Sequence, residues 1–269
     1  MIEVNTIQNV TQIKMSREMG GKALYWVAAY YIDGMLVDTG CDYTSQELCD
    51  LLQQYEVKFV VNTHYHEDHI GANHLINSRL NLDIYAHPET VLLMQQTHKL
   101  YPYQELVWGY PKIYEHGIPL GHKITTPNFS FDIIDTPGHC DGHISLLEAN
   151  KGWCFTGDLF VSENPKVIRP EEDITQIVHS MEKILNSTNG NFILFTSVGK
   201  VVENGRAALM DCVTYLKHLS GAVKELNQKG HSISTIRDMV LGGESALAQH
   251  TNHQFSSENL VKAALRATL

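Results

Sequence analysis

The tightest constraint on the fold is a cluster of metal-binding side chains that directly follows a short apolar run. The run Val57 to Val61 predicts a buried strand. Four potential ligands then fall within six residues: His64, His66, Asp68 and His69. Residues two apart in extended backbone point to the same side, so the first two imidazoles can hold one ion. The carboxylate and the last imidazole can face a second ion at the start of a helix. Imidazole suits zinc and carboxylate suits a second or harder ion, so the segment predicts a metal centre at a strand end.

Two more ligand-type side chains stand just beyond apolar strands. His139 follows the predicted strand Phe131 to Ile134, and Asp158 follows the predicted strand Trp153 to Phe155. A glycine precedes each of them, and glycine permits the tight backbone turn that delivers a side chain to a crowded centre. Sites of α/β folds are usually built from loops at strand ends, so we expect these loops to converge with the first one.

Strands and helices alternate through the first two hundred residues, which predicts a mixed α/β domain built in layers. Beyond residue 200 the pattern turns helical, with predicted helices at 204–228, 233–241 and 256–267. We therefore divide the chain into a main domain of residues 1–203 and a small helical C-terminal appendage of residues 204–269 packed on it. The appendage can complete the rim of the site or form a homodimer contact.

The order, spacing and local context of these motifs resemble those of the metallo-β-lactamase superfamily of metal-dependent hydrolases. The resemblance covers roughly residues 10–200. It includes the H-x-H-x-D-H motif at 64–69, the T-P-G-H that ends at His139, the G-D that ends at Asp158 and an early D-T-G that begins at Asp38. It implies an αββα sandwich, the metallo-β-lactamase fold, in which residues 1–203 form the catalytic domain.

The resemblance also implies a ligand set for one or two ions between the sheets. One ion would sit on His64, His66 and His139. The other would sit on Asp68 and His69, with Asp158 as a bridge. Asp38 would support the metal-bound histidines.

The chain departs from the superfamily pattern at the last motif. Members usually carry a Pro-Gly-His after the last core strand, and that histidine completes the second metal site. Here the strand Phe192 to Phe195 continues into Thr196-Ser197-Val198-Gly199, and valine stands where histidine is expected. Valine cannot bind a metal, so we expect the second site to be weak, empty or differently built.

A zinc ion on three histidines with water as the fourth ligand predicts a hydrolase. Such an ion lowers the pKa of its water from about 15.7 toward about 7, which gives hydroxide at neutral pH. Asp68 is placed to accept or orient the proton, and the metal-bound hydroxide attacks a carbonyl group of a thioester, a lactone or another ester. We expect one or two zinc ions, with iron or manganese as alternatives. His143, four residues after His139, either supports this centre or is structural.

An aromatic-rich segment between Tyr101 and Tyr114 offers a candidate wall for the substrate site. Trp108 and Tyr110 are its central members, and neither helical nor strand periodicity organises the segment. One interpretation is a lid over the metal for an apolar or ring-bearing acyl group. The other is that the aromatic side chains only pack a long loop on the core.

The composition of the chain limits the classes of partner and the cellular compartment that we expect for it. The formal net charge is −10 and no run of Lys or Arg occurs, which disfavours nucleic acid as substrate and favours a small molecule. Five scattered cysteines without CxxC spacing favour a reducing compartment. No signal peptide is visible, and no apolar run reaches the roughly 18 residues of a membrane span. We expect a cytoplasmic protein without membrane contact.

Three other functions stay open at the level of the sequence. A phosphodiesterase or nuclease of the same fold is disfavoured by the negative charge. An iron enzyme that handles oxygen or sulfur would use similar ligands. A silent binding protein is consistent with the missing histidine.

Overall fold

Two β-sheets pack face to face, with helices on both outer faces, in a computed structural model that describes all 269 residues. The predicted αββα sandwich is confirmed. In chain order its first half contains β1 (Ile2–Ile7), β2 (Val10–Met15), β3 (Glu18–Met19), β4 (Lys22–Ala23), β5 (Val27–Ile32), β6 (Met35–Val37), α1 (Ser45–Leu52), β7 (Phe59–Val61), α2 (Asn73–Leu80), β8 (Asp83–Ala86), α3 (Pro88–Leu93), α4 (Pro102–Val107) and β9 (Ile118–Pro119). The second half contains β10 (Lys123–Thr125), β11 (Ser130–Asp135), β12 (Ile144–Glu148), β13 (Trp153–Gly157), α5 (Ile174–Ser187), β14 (Ile193–Thr196), β15 (Val201–Val202), α6 (Gly205–Gln228), α7 (Ile233–Leu241), α8 (Ala246–His250) and α9 (Ser257–Arg266).

The strand order places β7 and β13 inside their sheets. The first sheet runs β1-β2-β5-β6-β7-β8-β9 and the second runs β10-β11-β12-β13-β14-β15, while β3 and β4 form a small hairpin. The pairs from β6 to β9 are parallel. Parallel strands need crossover connections, and here α1, α2 and α3 supply or flank them on the outer face of the first sheet.

Three apolar layers hold the sandwich together. Between the sheets, Tyr30 and Val61 face Phe155 and Phe195. On the outer face of the first sheet, residues of α1, α2 and α3 pack against β2, β5 and β7. On the outer face of the second sheet, α5, α6, α7 and α9 pack against β11, β12, β13 and β14. The helical appendage therefore shares a core with the second sheet, and the boundary near residue 204 stays a prediction.

Local differences from the sequence prediction have physical reasons. The N-terminal strand β1 precedes Val10, where the first separate strand was predicted, and its residues lie mostly exposed at the edge of a sheet. The segment around Tyr101 contains the short helix α4, where the sequence shows no periodicity. Thr44 precedes α1 but its hydroxyl does not cap the helix, because it donates to the Cys41 carbonyl. None of the helices is long and apolar enough to cross a membrane.

Candidate metal centre

Loops after three strands meet at one edge of the sandwich and bring the predicted ligands together. The loops after β7, β11 and β13 carry, in that order, His64 and His66, His139, and Asp158. Backbone hydrogen bonds join the two sheets near this edge. The Ile144 amide donates to the Thr63 carbonyl at 2.9 Å, and the Ala28 amide donates to the Ser197 carbonyl at 2.7 Å. These bonds hold the loops of one sheet in register with those of the other.

Three imidazole nitrogens converge at this edge: His64 Nε2, His66 Nδ1 and His139 Nε2. The His66 nitrogen lies 3.1 Å from the His64 nitrogen and 2.9 Å from the His139 nitrogen. All three side chains are buried. Tetrahedral zinc holds nitrogen at about 2.0–2.1 Å, which separates two such ligands by roughly 3.3 Å. The observed spacing is therefore close to that of a three-histidine zinc site.

Hydrogen bonds fix the protons of two of these rings on their outer nitrogens. The Thr63 hydroxyl donates to Asp38 Oδ2 at 2.8 Å, so it accepts a hydrogen bond from His64 Nδ1 at 3.0 Å. His139 Nδ1 donates to Glu172 Oε1 at 2.7 Å. In the neutral rings both inner Nε2 atoms therefore carry lone pairs. Lone pairs at these distances repel unless a proton or a metal cation lies between them, so the donor set fits a divalent metal ion.

A second group of ligand-type atoms lies beside the first. His69 Nδ1 donates to Asp38 Oδ2 at 2.8 Å, which leaves its Nε2 3.4 Å from Asp158 Oδ1 and 3.9 Å from Asp68 Oδ2. His69 Nε2 and Asp68 Oδ1 are buried and have no hydrogen-bond partner. Asp158 Oδ2 lies 3.3 Å from His139 Nε2, so this carboxylate reaches both groups. A buried polar atom without a partner costs about 1–3 kcal/mol, and a bound cation would satisfy these atoms.

The position of the expected sixth ligand holds no imidazole. Val198 lines a cavity of about 90 Å³ beside His139 and Asp158. Its neighbour Ser197 donates a hydrogen bond to Asp158 Oδ1 and is buried. A serine hydroxyl is thus engaged with the bridging carboxylate, and the second group offers one imidazole where the superfamily pattern has two.

Burial and neighbouring charges shift the pKa values of several side chains in the centre. Burial raises the pKa of Asp68 to about 7. Burial and the neighbouring histidines hold the pKa of His64 well below its ordinary value. For His69, burial acts downward, but Asp38, Asp68 and Asp158 raise its pKa well above the ordinary value. The cluster therefore retains protons that a bound dication would displace.

Asp38 and Gly157 are two of the backbone positions near the centre that have positive φ. Asp38 adopts φ +60°, which is uncommon for a residue with a side chain, and its two carboxylate oxygens bind the Thr63 amide and the His69 ring. Gly157 adopts φ +49°, and a Cβ at this position would lie 2.7 Å from His143 Nε2. Glycine therefore permits the close approach that directs the next residue, Asp158, into the centre.

His143 is held on the protein side of the centre. Its Nδ1 lies 2.9 Å from the Thr136 hydroxyl, and its Nε2 accepts a hydrogen bond from the Asp158 amide at 3.1 Å. Burial and the charge of His139 lower the pKa of His143 to about 3, so the ring is neutral. The geometry indicates that this ring orients the Asp158 backbone, and a role of His143 in the function stays a prediction.

A cavity of about 200 Å³ opens beside His66. Tyr110 lines this cavity and is 43% exposed. Trp108 is only 5% exposed and packs edge-on against Tyr25 and Tyr103, away from the cavity wall. Contact with substrate stays a prediction for both residues, and the structure gives Tyr110 the more direct access.

The structure adds Glu172 and Arg169 to the predicted residues of the centre. Glu172 orients His139, and Arg169 Nη1 lies 3.5 Å from His66 Nδ1. Both residues lie in the loop between β13 and α5, which carries no periodic pattern. The only available signal was that this loop, like the others, starts at a strand end beside a predicted ligand.

The family model described as the metallo-beta-lactamase superfamily matches residues 27–192. That span contains all six predicted ligands and ends before Val198. It extends from β5 into the segment just before β14.

Individual relatives and solved structures are similar over 58% to 96% of the chain. The hydroxyacylglutathione hydrolase GloC of Haemophilus influenzae is 25% identical over 180 residues, which are 64% of this chain and 82% of that enzyme. A probable metallo-hydrolase of Methanocaldococcus jannaschii is 27% identical over 58% of this chain and 78% of that protein. The crystal structure of a metallo-beta-lactamase family protein from Thermus thermophilus matches with a TM-score of 0.66 at 14% identity and covers 96% of this chain and 92% of that one.

Proposed function

Because the chain belongs to the metallo-β-lactamase superfamily, we propose that it hydrolyses a thioester or another carboxylic ester at a zinc centre formed by His64, His66 and His139. Its membership in the superfamily and its relatives identify the chain as a metal-dependent hydrolase. The proposal adds an ester as the substrate class and zinc as the metal. The observation that supports it is the convergence of three imidazole nitrogens. In two of these rings, those of His64 and His139, a hydrogen bond holds the proton on the outer nitrogen.

The thioester class is supported by relatives and by charge. A hydroxyacylglutathione is a thioester, and the Haemophilus enzyme named for its hydrolysis is 25% identical to this chain. The net charge of −10 disfavours a polyanionic substrate such as nucleic acid. A carbonyl centre therefore suits this chain better than a phosphodiester.

The protein side chains would perform the binding and proton steps. Zinc at such a site supplies Lewis-acid polarisation of a carbonyl and activation of water. Asp68 Oδ1 has no other partner, so it is free to accept a proton from the attacking water and return it to the leaving thiolate. Asp38 and Glu172 hold the histidines in the tautomers that direct lone pairs inward. Burial of the centre excludes competing water.

The proposal needs one metal ion. Asp68, His69 and Asp158 offer a second ion one imidazole fewer than the superfamily pattern provides, because Val198 replaces the last histidine. We therefore expect the second group to bind a metal ion only weakly. The proton-transfer role of Asp68 does not require a second ion.

The first experiment is metal content by element on protein purified without added metal or chelator. We expect about one zinc per chain, together with hydrolysis of simple thioesters or esters. The variants His66→Ala and Asp68→Ala should lose hydrolysis while circular dichroism and melting temperature show a folded protein. His122→Ala is the matched control, because His122 is exposed and lies outside the centre.

Two results would contradict the proposal. Full hydrolytic activity in either variant would show that the substituted residue is not needed for the reaction. Iron as the main metal would instead favour an enzyme that handles oxygen or sulfur, and spectroscopy of the purified protein would detect it.

A further inference from the structure

Arg169 is a buried cation at the metal centre with no carboxylate in contact. Its side chain is 4% exposed, and no carboxylate oxygen lies within 4.0 Å of its guanidinium group. Its Nε has no hydrogen-bond partner, and its Nη1 lies 3.5 Å from His66 Nδ1. Guanidinium is always charged in proteins and has five donors. Buried charges are normally paired, so Arg169 lacks the partner that its burial requires.

The nearby carboxylates are engaged elsewhere. Glu67 Oε1 accepts a hydrogen bond from Gln104 at 2.7 Å. Glu172 Oε1 accepts one from His139 at 2.7 Å. Asp68 belongs to the second ligand group. These carboxylates keep the region negative enough to tolerate the guanidinium, but none of them satisfies its donors.

The helical appendage holds Arg169 in place. Backbone hydrogen bonds join Ile168 to Ser256 in both directions, at 3.3 and 3.4 Å. The Phe255 ring centroid lies 5.0 Å from the guanidinium carbon. A cation over an aromatic face is stabilised without using its in-plane donors. The contact with Phe255 therefore leaves Nε without a partner, and the side chain is positioned before any ligand binds.

The same residue lines the cavity that opens beside His66. The other cations of the lining are Lys99 and Lys112, against the carboxylates Glu67 and Glu171. Cations are thus concentrated locally in a chain whose net charge is −10. The sequence showed no cationic cradle, because these three residues are distant along the chain and meet only in the fold.

We propose that Arg169 binds a carboxylate group of the substrate and so makes acidic thioesters or esters the preferred substrate class. This inference rests on the proposed function, since the carboxylate is recognised beside the ligand His66. A guanidinium fork binds a carboxylate through two parallel hydrogen bonds, which suits the unpaired donors. The acid can stand on the acyl side or on the thiol side of the scissile bond.

Binding of glutarate to the zinc-loaded protein tests the anion site without catalysis. Isothermal titration calorimetry should show binding to the wild type and at least tenfold weaker binding to Arg169→Gln. Lys151→Gln is the matched control, since it removes an exposed cation that does not line the cavity, and the glutarate affinity of this variant should change less than threefold. Arg169→Lys keeps the charge but loses the fork, and it should bind with intermediate affinity. Zinc content and melting temperature are measured for each variant.

Three thioesters test the substrate preference and locate the acid. The glutaryl thioester of N-acetylcysteamine carries it on the acyl side, and the butyryl thioester of 3-mercaptopropionate carries it on the thiol side. The butyryl thioester of N-acetylcysteamine is neutral. Arg169→Gln should lower kcat/KM about 10- to 100-fold for at least one acidic substrate, mainly through KM, and change the neutral one less than threefold.

The outcomes separate the two proposals. An equal loss for all three substrates would overturn the inference, because Arg169 would then act on the reaction or on the structure. Unchanged glutarate affinity in Arg169→Gln, or no binding to the wild type, would overturn it as well. If the wild type hydrolyses none of the thioesters, the proposed function fails, while the calorimetry still decides whether Arg169 forms an anion site.

Discussion

Glu172 should control zinc affinity although it does not contact the ion. Its Oε1 accepts a hydrogen bond from His139 Nδ1 at 2.7 Å, and both side chains are buried. Loss of such a partner typically weakens metal binding 10- to 100-fold, or about 1.4–2.7 kcal/mol. We expect this full loss for Glu172→Ala. Glu172→Gln keeps an acceptor but not the charge, and since charge-assisted bonds are roughly twice as strong as neutral ones, we expect about a 3- to 10-fold loss.

Competition with a chromophoric chelator of known zinc affinity measures this effect directly. Glu171→Gln is the matched control, because Glu171 is the exposed neighbour and has no contact with His139. The melting temperature of the metal-free variants shows whether folding has changed. Zinc affinities within twofold of the wild type for both Glu172 variants would refute the assigned role of the hydrogen bond.

Three further predictions concern the second ligand group, the appendage and the core. Val198→His restores the missing imidazole and should raise the metal content toward two ions per chain, as measured by elemental analysis. A metal content unchanged from the wild type would contradict the assignment of residue 198 to the position of the missing ligand. Burial acts to raise the pKa of Glu244, but hydrogen bonds from three backbone amides, Ser257 foremost, lower it below the ordinary value. Its contribution, about 1 kcal/mol, is present above the unfolded-state pKa and lost as pH falls through the folded-state pKa, so urea unfolding should show that Glu244→Gln destabilises the protein at pH 7 and that this loss shrinks as the pH falls through the folded-state pKa. Phe155 is buried and stacks on Phe195 at 4.9 Å, so Phe155→Ala should lower the free energy of unfolding by about 3–5 kcal/mol, and a loss under 1 kcal/mol would contradict the packing.

The sequence predicted the layers of the fold because periodicity is a local property. The amphipathic pattern from Ile174 onward marks α5, and Asp173 caps it through the Thr175 and Gln176 amides. The helix predicted at 204–228 agrees with α6 within one residue at its start. The sequence marked no separate strand before Val10, because the edge strand β1 pairs on one side only and leaves little hydrophobic signal.

The candidate ligands were also local in sequence, and their meeting in space follows from the strand order. His64, His66 and Asp68 stand within five residues, and the type of motif alone indicates metal. The structure adds that His139, seventy-three residues after His66, places its Nε2 2.9 Å from His66 Nδ1. Their role as ligands stays a proposal that the metal analysis tests.

By itself the sequence determined the αββα class, the family and a candidate ligand set, because strands, helices and short motifs depend on neighbours in the chain. Only the tertiary structure decided that Glu172 orients His139 and that Arg169 is buried without a carboxylate partner. The residues that make these contacts show no distinctive sequence pattern, and they come from different loops and from the appendage. Whether a side chain is buried or paired depends on its neighbours in space, and the sequence alone does not reveal which residues those neighbours are.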